Sequence, residues 1–119
     1  MILRAGQAAL HIECATPGWC RCELLAPDGT VRYLGAESLA YLCRQLVPAL
    51  HRTTSDARAG ADAWVLSLSE AHHTIFLRDD PVGQRFIVRD AQGIEVATLT
   101  PTDAELRDWD TILRRALPA

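Results

Sequence analysis

The sequence predicts an α+β fold made of two tandem units, each of four antiparallel strands followed by one helix. Three observations carry that expectation. Apolar and polar residues alternate with a period of two over most of each half. The period lengthens to about 3.6 residues at the end of each half. A shift of 67 residues lays Leu39, Leu42, Leu46 and Leu50 onto Leu106, Trp109, Leu113 and Leu117. The 119 residues suit one domain. Its two pseudo-repeats cover about 1–54 and 62–119. Neither half has enough surface to bury its own apolar face, so the two are expected to share a core.

Taken in order, 2–5 is the weakest strand, with almost no alternation. Over 6–14, Ala8, Leu10, Ile12 and Cys14 fall on one face and Ala9, His11 and Glu13 on the other. After Pro17-Gly18, the run 19–26 puts Cys20, Cys22 and Leu24 inward and Trp19, Arg21 and Glu23 outward. The Asp28-Gly29 pair tolerates the positive φ of a tight hairpin, so 31–34 should return antiparallel. From Ala36 the helical period begins, and Pro48 should kink or end that helix near Val47. The segment 53–60 lacks an apolar period and reads as the main connection.

In the second half, Trp64, Leu66 and Leu68 alternate with Val65, Ser67 and Ser69. Residues 73–78 make the next strand, and 84–90 and 94–99 flank a turn at Gln92-Gly93. Thr100-Pro101-Thr102-Asp103 supplies an N-cap hydroxyl, a proline at the first helical position and a carboxylate beside the positive end of the helix dipole. Arg114 and Arg115 sit at the opposite end. The two helices should pack through Leu39, Leu46, Leu106, Trp109 and Leu113.

Composition excludes several classes. The chain is 49% hydrophobic and 23% charged, near globular averages. A net charge of -3 argues against a strongly basic nucleic-acid binder. All 12 basic residues are arginine and asparagine is absent too, a pattern of codon bias in a GC-rich genome. No apolar run approaches the roughly 18–20 residues that cross a bilayer, and Arg4, His11 and Glu13 interrupt the stretch that could mimic a secretory signal. A soluble cytoplasmic protein without membrane association is expected.

Two copies of a four-strand-and-helix unit are also the plan of the Whirly family, which binds single-stranded DNA. Ala5-Gly6-Gln7-Ala8-Ala9-Leu10 resembles that family's Lys-Gly-Lys-Ala-Ala-Leu signature, with Ala5 and Gln7 standing where the family has lysines. The run 99–105 is similar to its junction between the last strand and helix. The resemblance spans nearly the whole chain in topology and these short stretches in identity. It implies a Whirly-like fold, single-stranded nucleic acid as a partner and higher assembly.

Chemistry-bearing clusters are few. His11, Cys14, Cys20 and Cys22 form the tightest potential metal group, but alternation turns His11 away from the thiols. A Cys-x-Cys pair on a strand also lacks the spacing with which paired thiolates wrap zinc. Buried reduced thiols are the favoured reading; a disulfide, or a thiol or metal protein, stays as the weaker alternative. A nucleophilic Cys20 or Cys22 would need solvent access that inward placement denies. His72-His73 reads as a turn between strands. Asp79-Asp80-Pro81-Val82-Gly83 reads as a solvated loop. No catalytic constellation, cofactor motif or metal site is expected, so an enzyme is not.

The remaining group lies on the outward sheet surface: Trp19 and Arg21 on one strand, Phe76 and Arg78 on a second, and Arg85, Ile87 and Arg89 on a third. Rings stack on unpaired bases and guanidinium groups neutralise phosphates, so this surface is a candidate for single-stranded nucleic acid. The alternative is a protein interface or homo-oligomer contact through the same apolar and arginine-rich face.

Overall fold

The computed structural model describes residues 1–16, 18–51, 62–80 and 83–117. The first sheet has the order β1 (Ile2–Ala5), β2 (Ala8–Thr16), β3 (Trp19–Leu25), β4 (Val31–Ser38) and is followed by α1 (Leu39–Leu50). The second has the order β5 (Ala63–Ser67), β6 (Thr74–Asp80), β7 (Gly83–Arg89), β8 (Glu95–Leu99) and is followed by α2 (Asp103–Ala116). Every pairing within the sheets is antiparallel. This is the two-repeat α+β architecture that the periodicities predict. Among the described residues, no helix is long and apolar enough to cross a membrane. The connection expected over 53–60 lies outside the described residues, as do Pro17, Pro81 and Val82.

The halves close one core by exchanging helices. The Trp109 indole in α2 is buried against Phe86, with ring centroids 5.2 Å apart, and donates its N–H to the Arg4 carbonyl on β1 at 2.7 Å. Reciprocally, Gln45 in α1 donates to the Val65 carbonyl on β5 at 3.0 Å, and the Tyr41 hydroxyl accepts from Ser67 N–H at 3.1 Å. Each helix is thus tied to the first strand of the other half. Leu3, Leu10, Ile12, Leu34, Leu46, Phe86 and Leu113 belong to one buried cluster drawn from both halves.

A backbone bridge joins the sheets as well. Ala36 and Ser69 exchange both N–H···O bonds, at 3.1 and 3.0 Å. Gly35 makes this approach possible: its φ is +135°, and an added Cβ would collide with the Ser69 carbonyl oxygen and Leu68 Cβ. The chain around the bridge is tight, with Glu70 and His72 both at positive φ. His73 is buried there, its Nδ1 3.1 Å from the Ala71 carbonyl and its Nε2 accepting from Arg32 at 3.1 Å, a pattern that fits the tautomer protonated at Nδ1.

Local boundaries depart from the sequence expectation in several places. The strand expected at 31–34 runs on to Ser38, because residues 35–38 pair with residues 22–19 of β3 and Ala36 is bridged to Ser69 on its other side. Helix α1 therefore starts at Leu39, with Ser38 as its N-cap accepting from Tyr41 N–H. Pro48 does not end the helix near Val47; it sits in the last turn, and α1 continues to Leu50. At α2 the cap is Thr102, so Pro101 precedes the cap rather than opening the helix. Thr102 and Glu105 form a capping box, and the Glu105 carboxylate also accepts from Gly6 N–H. His73 precedes β6 rather than opening it. Asp79 and Asp80 belong to β6, paired with Gln84 and Gly83, rather than to a loop.

The cysteine expectation is corrected in two respects. Cys14 and Cys20 are bonded to each other as a disulfide, not held as reduced thiols. The β2–β3 register sets them directly opposite, and Cys14, near the end of the hairpin, is exposed. Cys22 and Cys43 are buried free thiols. Burial pushes the Cys22 thiol up to about 12, so it is inert as a nucleophile at neutral pH.

Because the core is shared, its loss should unfold both halves together. Trp109→Ala leaves a large cavity and an unpaired Arg4 carbonyl, so we expect a loss of roughly 3–5 kcal/mol. Urea unfolding followed by circular dichroism and by Trp19 and Trp64 fluorescence should show one coincident transition at lower midpoint. Two separated transitions would contradict the shared core.

Candidate functional site

Both inner sheet faces are consumed by the core, so the candidate site must be sought on the outer faces. On the second sheet the outer row is set by the β5–β6–β7–β8 register: Trp64 opposite Phe76, Phe76 opposite Ile87, Ile87 opposite Thr98. Beside it, Arg78 stands opposite Arg85 and Thr74 opposite Arg89. Alternation produces this arrangement, since Ile75, Leu77, Phe86 and Val88 take the core side.

Sequence alternation misplaces one residue of this row. A β-bulge between Trp64 and Leu66 lets Val65 and Leu66 both face the core, which turns Trp64 outward, 47% exposed, against the inward placement that strict alternation with Leu66 and Leu68 predicts. Its indole N–H donates to Ser67 Oγ at 3.0 Å, which holds the ring along the strand. The adjoining pair Val65-Leu66, two bulky aliphatics in succession within an alternating run, is the signal that marks the bulge.

The second residue missed is Asp62, just before β5. Its carboxylate accepts from Arg78 Nε at 2.7 Å and Arg78 Nη2 at 3.0 Å, and it also pairs with Arg89 Nη2. Its side chain is only 10% exposed. The Arg78 hydrogen bonds, with the charge of both guanidinium groups, hold the Asp62 carboxyl below its ordinary value of 3.8. The Arg89 guanidinium carbon lies 4.3 Å from the Phe76 ring centroid. The result is a clamp in which two arginines share a carboxylate and one of them covers a ring.

The seven residues expected on the outward surface divide between the sheets. Phe76, Arg78, Arg85, Ile87 and Arg89 share the second sheet. Trp19, 44% exposed, and Arg21 lie on the first. Ile87 faces outward by register but is fully buried, so it supports the face rather than meeting a ligand. Arg21 lies over the Tyr33 ring at 4.6 Å, and the Tyr33 hydroxyl donates to Glu70 Oε2, a hydrogen bond that pushes the phenol up.

On the first sheet the parity that separates His11 from the cysteines has another result. His11 is opposite Glu23, and Glu13 is two residues along on the same face. Of the thiols, Cys14 stands nearest to His11 in sequence, which draws attention to the cysteines; the His-x-Glu spacing and the hairpin return are the signal that brings His11 to these carboxylates instead.

Elsewhere, His51 Nε2 lies 3.0 Å from Asp110 Oδ1, which also accepts from Arg114 Nε at 2.8 Å. Hydrogen bonds from His51 and Arg114 hold the Asp110 carboxyl low, and the half-buried Asp110 with the exposed His51 and Arg114 links α2 to the C-cap of α1. Comparison with models of known protein families finds no match to this chain, and comparison with curated proteins finds none either.

The clamp has a defined acid response. Asp62 is lowered on folding, so its contribution is fully present above its unfolded value near 3.8 and is lost as pH falls through the lower folded value. Asp62→Asn should cost roughly 1–3 kcal/mol at neutral pH. In urea unfolding, the gap between wild type and variant should hold down to a pH near 3.8 and close only below it. A gap that closes already at about pH 6 would contradict the assignment.

Proposed function

We propose that this chain is a non-enzymatic binding module that uses the outer face of its second sheet to hold single-stranded nucleic acid. The observation that carries this reading is the exposed Trp64 ring beside Phe76 and Arg89. A planar side chain open to solvent, on a rigid sheet and next to guanidinium groups, suits base stacking combined with phosphate neutralisation. The two-repeat topology, which resembles the Whirly plan, is consistent with it. Sequence-independent contact is expected, because rings stack on any base.

A second reading has its own support. Asp62 already neutralises part of the charge of Arg78 and Arg89, and the chain is acidic overall. An apolar face with internally paired arginines suits a protein partner or a second copy of the chain.

Anisotropy of a labelled single-stranded oligonucleotide separates the two. On the nucleic-acid reading Trp64→Ala should weaken binding by roughly 1–3 kcal/mol, the contribution of one stacked base. Asp62→Asn should strengthen it severalfold and steepen its salt dependence, since each added phosphate contact contributes about 0.7 to the slope for single strands. An oligonucleotide left unbound at low salt by micromolar protein and by Asp62→Asn alike would end this reading. A mass above 13.1 kDa in light scattering, reduced by Trp64→Ala, would favour the interface.

A further inference from the structure

We propose that His11, Glu13 and Glu23 form a surface site for a divalent transition-metal ion, with zinc(II) as the fitting probe. The three side chains come from two paired strands. His11 and Glu23 are directly opposite each other in the β2–β3 register, and Glu13 follows His11 by two residues and so returns to the same face. One donor atom from each lies within 4.8 Å of the others, and His11 Nδ1 is 3.8 Å from Glu23 Oε1. Metal–ligand bonds of about 2.1 Å set tetrahedral ligand atoms roughly 3.4 Å apart. Closing the group around an ion thus takes a rotamer adjustment and leaves the backbone in place.

The donor set and its surroundings favour a cation. One imidazole nitrogen and two carboxylates suit a borderline ion of the zinc class, and the two negative charges balance its charge of two. His11 and Glu23 are half-buried on a rigid sheet, while Glu13 is exposed and leaves the solvent side open for water or a further ligand. The natural competitor is Arg21, which stands opposite Glu13. Its guanidinium is instead drawn over the Tyr33 ring, and among the described residues Glu13 makes no ion pair. The two carboxylates therefore sit near each other beside the His11 imidazole, an arrangement that an ion relieves. Cysteine plays no part: Cys20 and Cys22 face the core on the opposite side of β3.

Calorimetric titration of the disulfide-intact protein with zinc(II) should show one site of micromolar affinity. His11→Ala and Glu23→Gln should each weaken it at least about tenfold. His51→Ala, which removes a histidine on the far link between the helices, should leave it unchanged. In wild-type protein, cobalt(II) should perturb the His11 ring signals in the NMR spectrum and produce no sulfur-to-cobalt charge-transfer band. No binding at millimolar zinc, binding lost with His51→Ala and retained with His11→Ala, or a thiolate band would each overturn the proposal. The outcome is independent of oligonucleotide binding, which concerns the second sheet.

Discussion

The buried indole of Trp109 is tolerable only because its N–H reaches the Arg4 carbonyl; without that acceptor the buried donor would cost about 1–3 kcal/mol. That bond, with the Glu105–Gly6 contact and the shared core, ties α2 to the first strand of the other half. The same geometry recurs where α1 meets β5 through Gln45 and Tyr41. A half built from one sheet and one helix would leave an apolar face in water, and the exchange of helices removes both faces at once. Gly35, the Ala36–Ser69 bridge and the tight 69–73 segment lock the arrangement where the sheets approach.

This constraint decides where binding chemistry can occur. With both inner faces used, the polar and aromatic residues available to a partner are those on the outer faces. Their character differs between the sheets. The second carries rings and guanidinium groups, tempered by Asp62. The first carries an imidazole and carboxylates, with Arg21 held on Tyr33. Asp62, together with Glu95 at 3.7 Å from Arg78, offsets part of the positive charge on the second sheet and holds Arg78 and Arg89 in place.

Most of the architecture was legible in the residues. Alternation over 10–13 and 19–25, the Asp28-Gly29 turn, the helical stripes and the 67-residue offset between them survive folding, whereas Ala9 is buried and Cys14 exposed against the alternation expected of them. What was not legible depends on strand pairing and register, which a period of two does not announce. Residues 35–38 continue β4 because they pair with residues 19–22 of β3, and Ala36 adds a bridge to Ser69 across the halves that nothing near Gly35 in sequence announces. The bulge that turns Trp64 outward is a defect in a period of two, which pattern matching smooths over. The Cys14–Cys20 bond follows from hairpin register, in which same-face residues of neighbouring strands become opposites. In the candidate site, parity puts the arginines and Phe76 on one sheet face, whereas Asp62 stands just ahead of the alternating run that begins β5, and only the fold brings it to Arg78 and Arg89.

The most direct test of this account is a proton–nitrogen NMR titration with a short single-stranded oligonucleotide, using the tryptophan indole N–H signals as internal reporters. The account predicts that Trp64 and the amides of β5 to β7 shift while the Trp109 indole stays fixed. Shifts centred on Trp109 and the α1–α2 junction, with Trp64 unmoved, would contradict it.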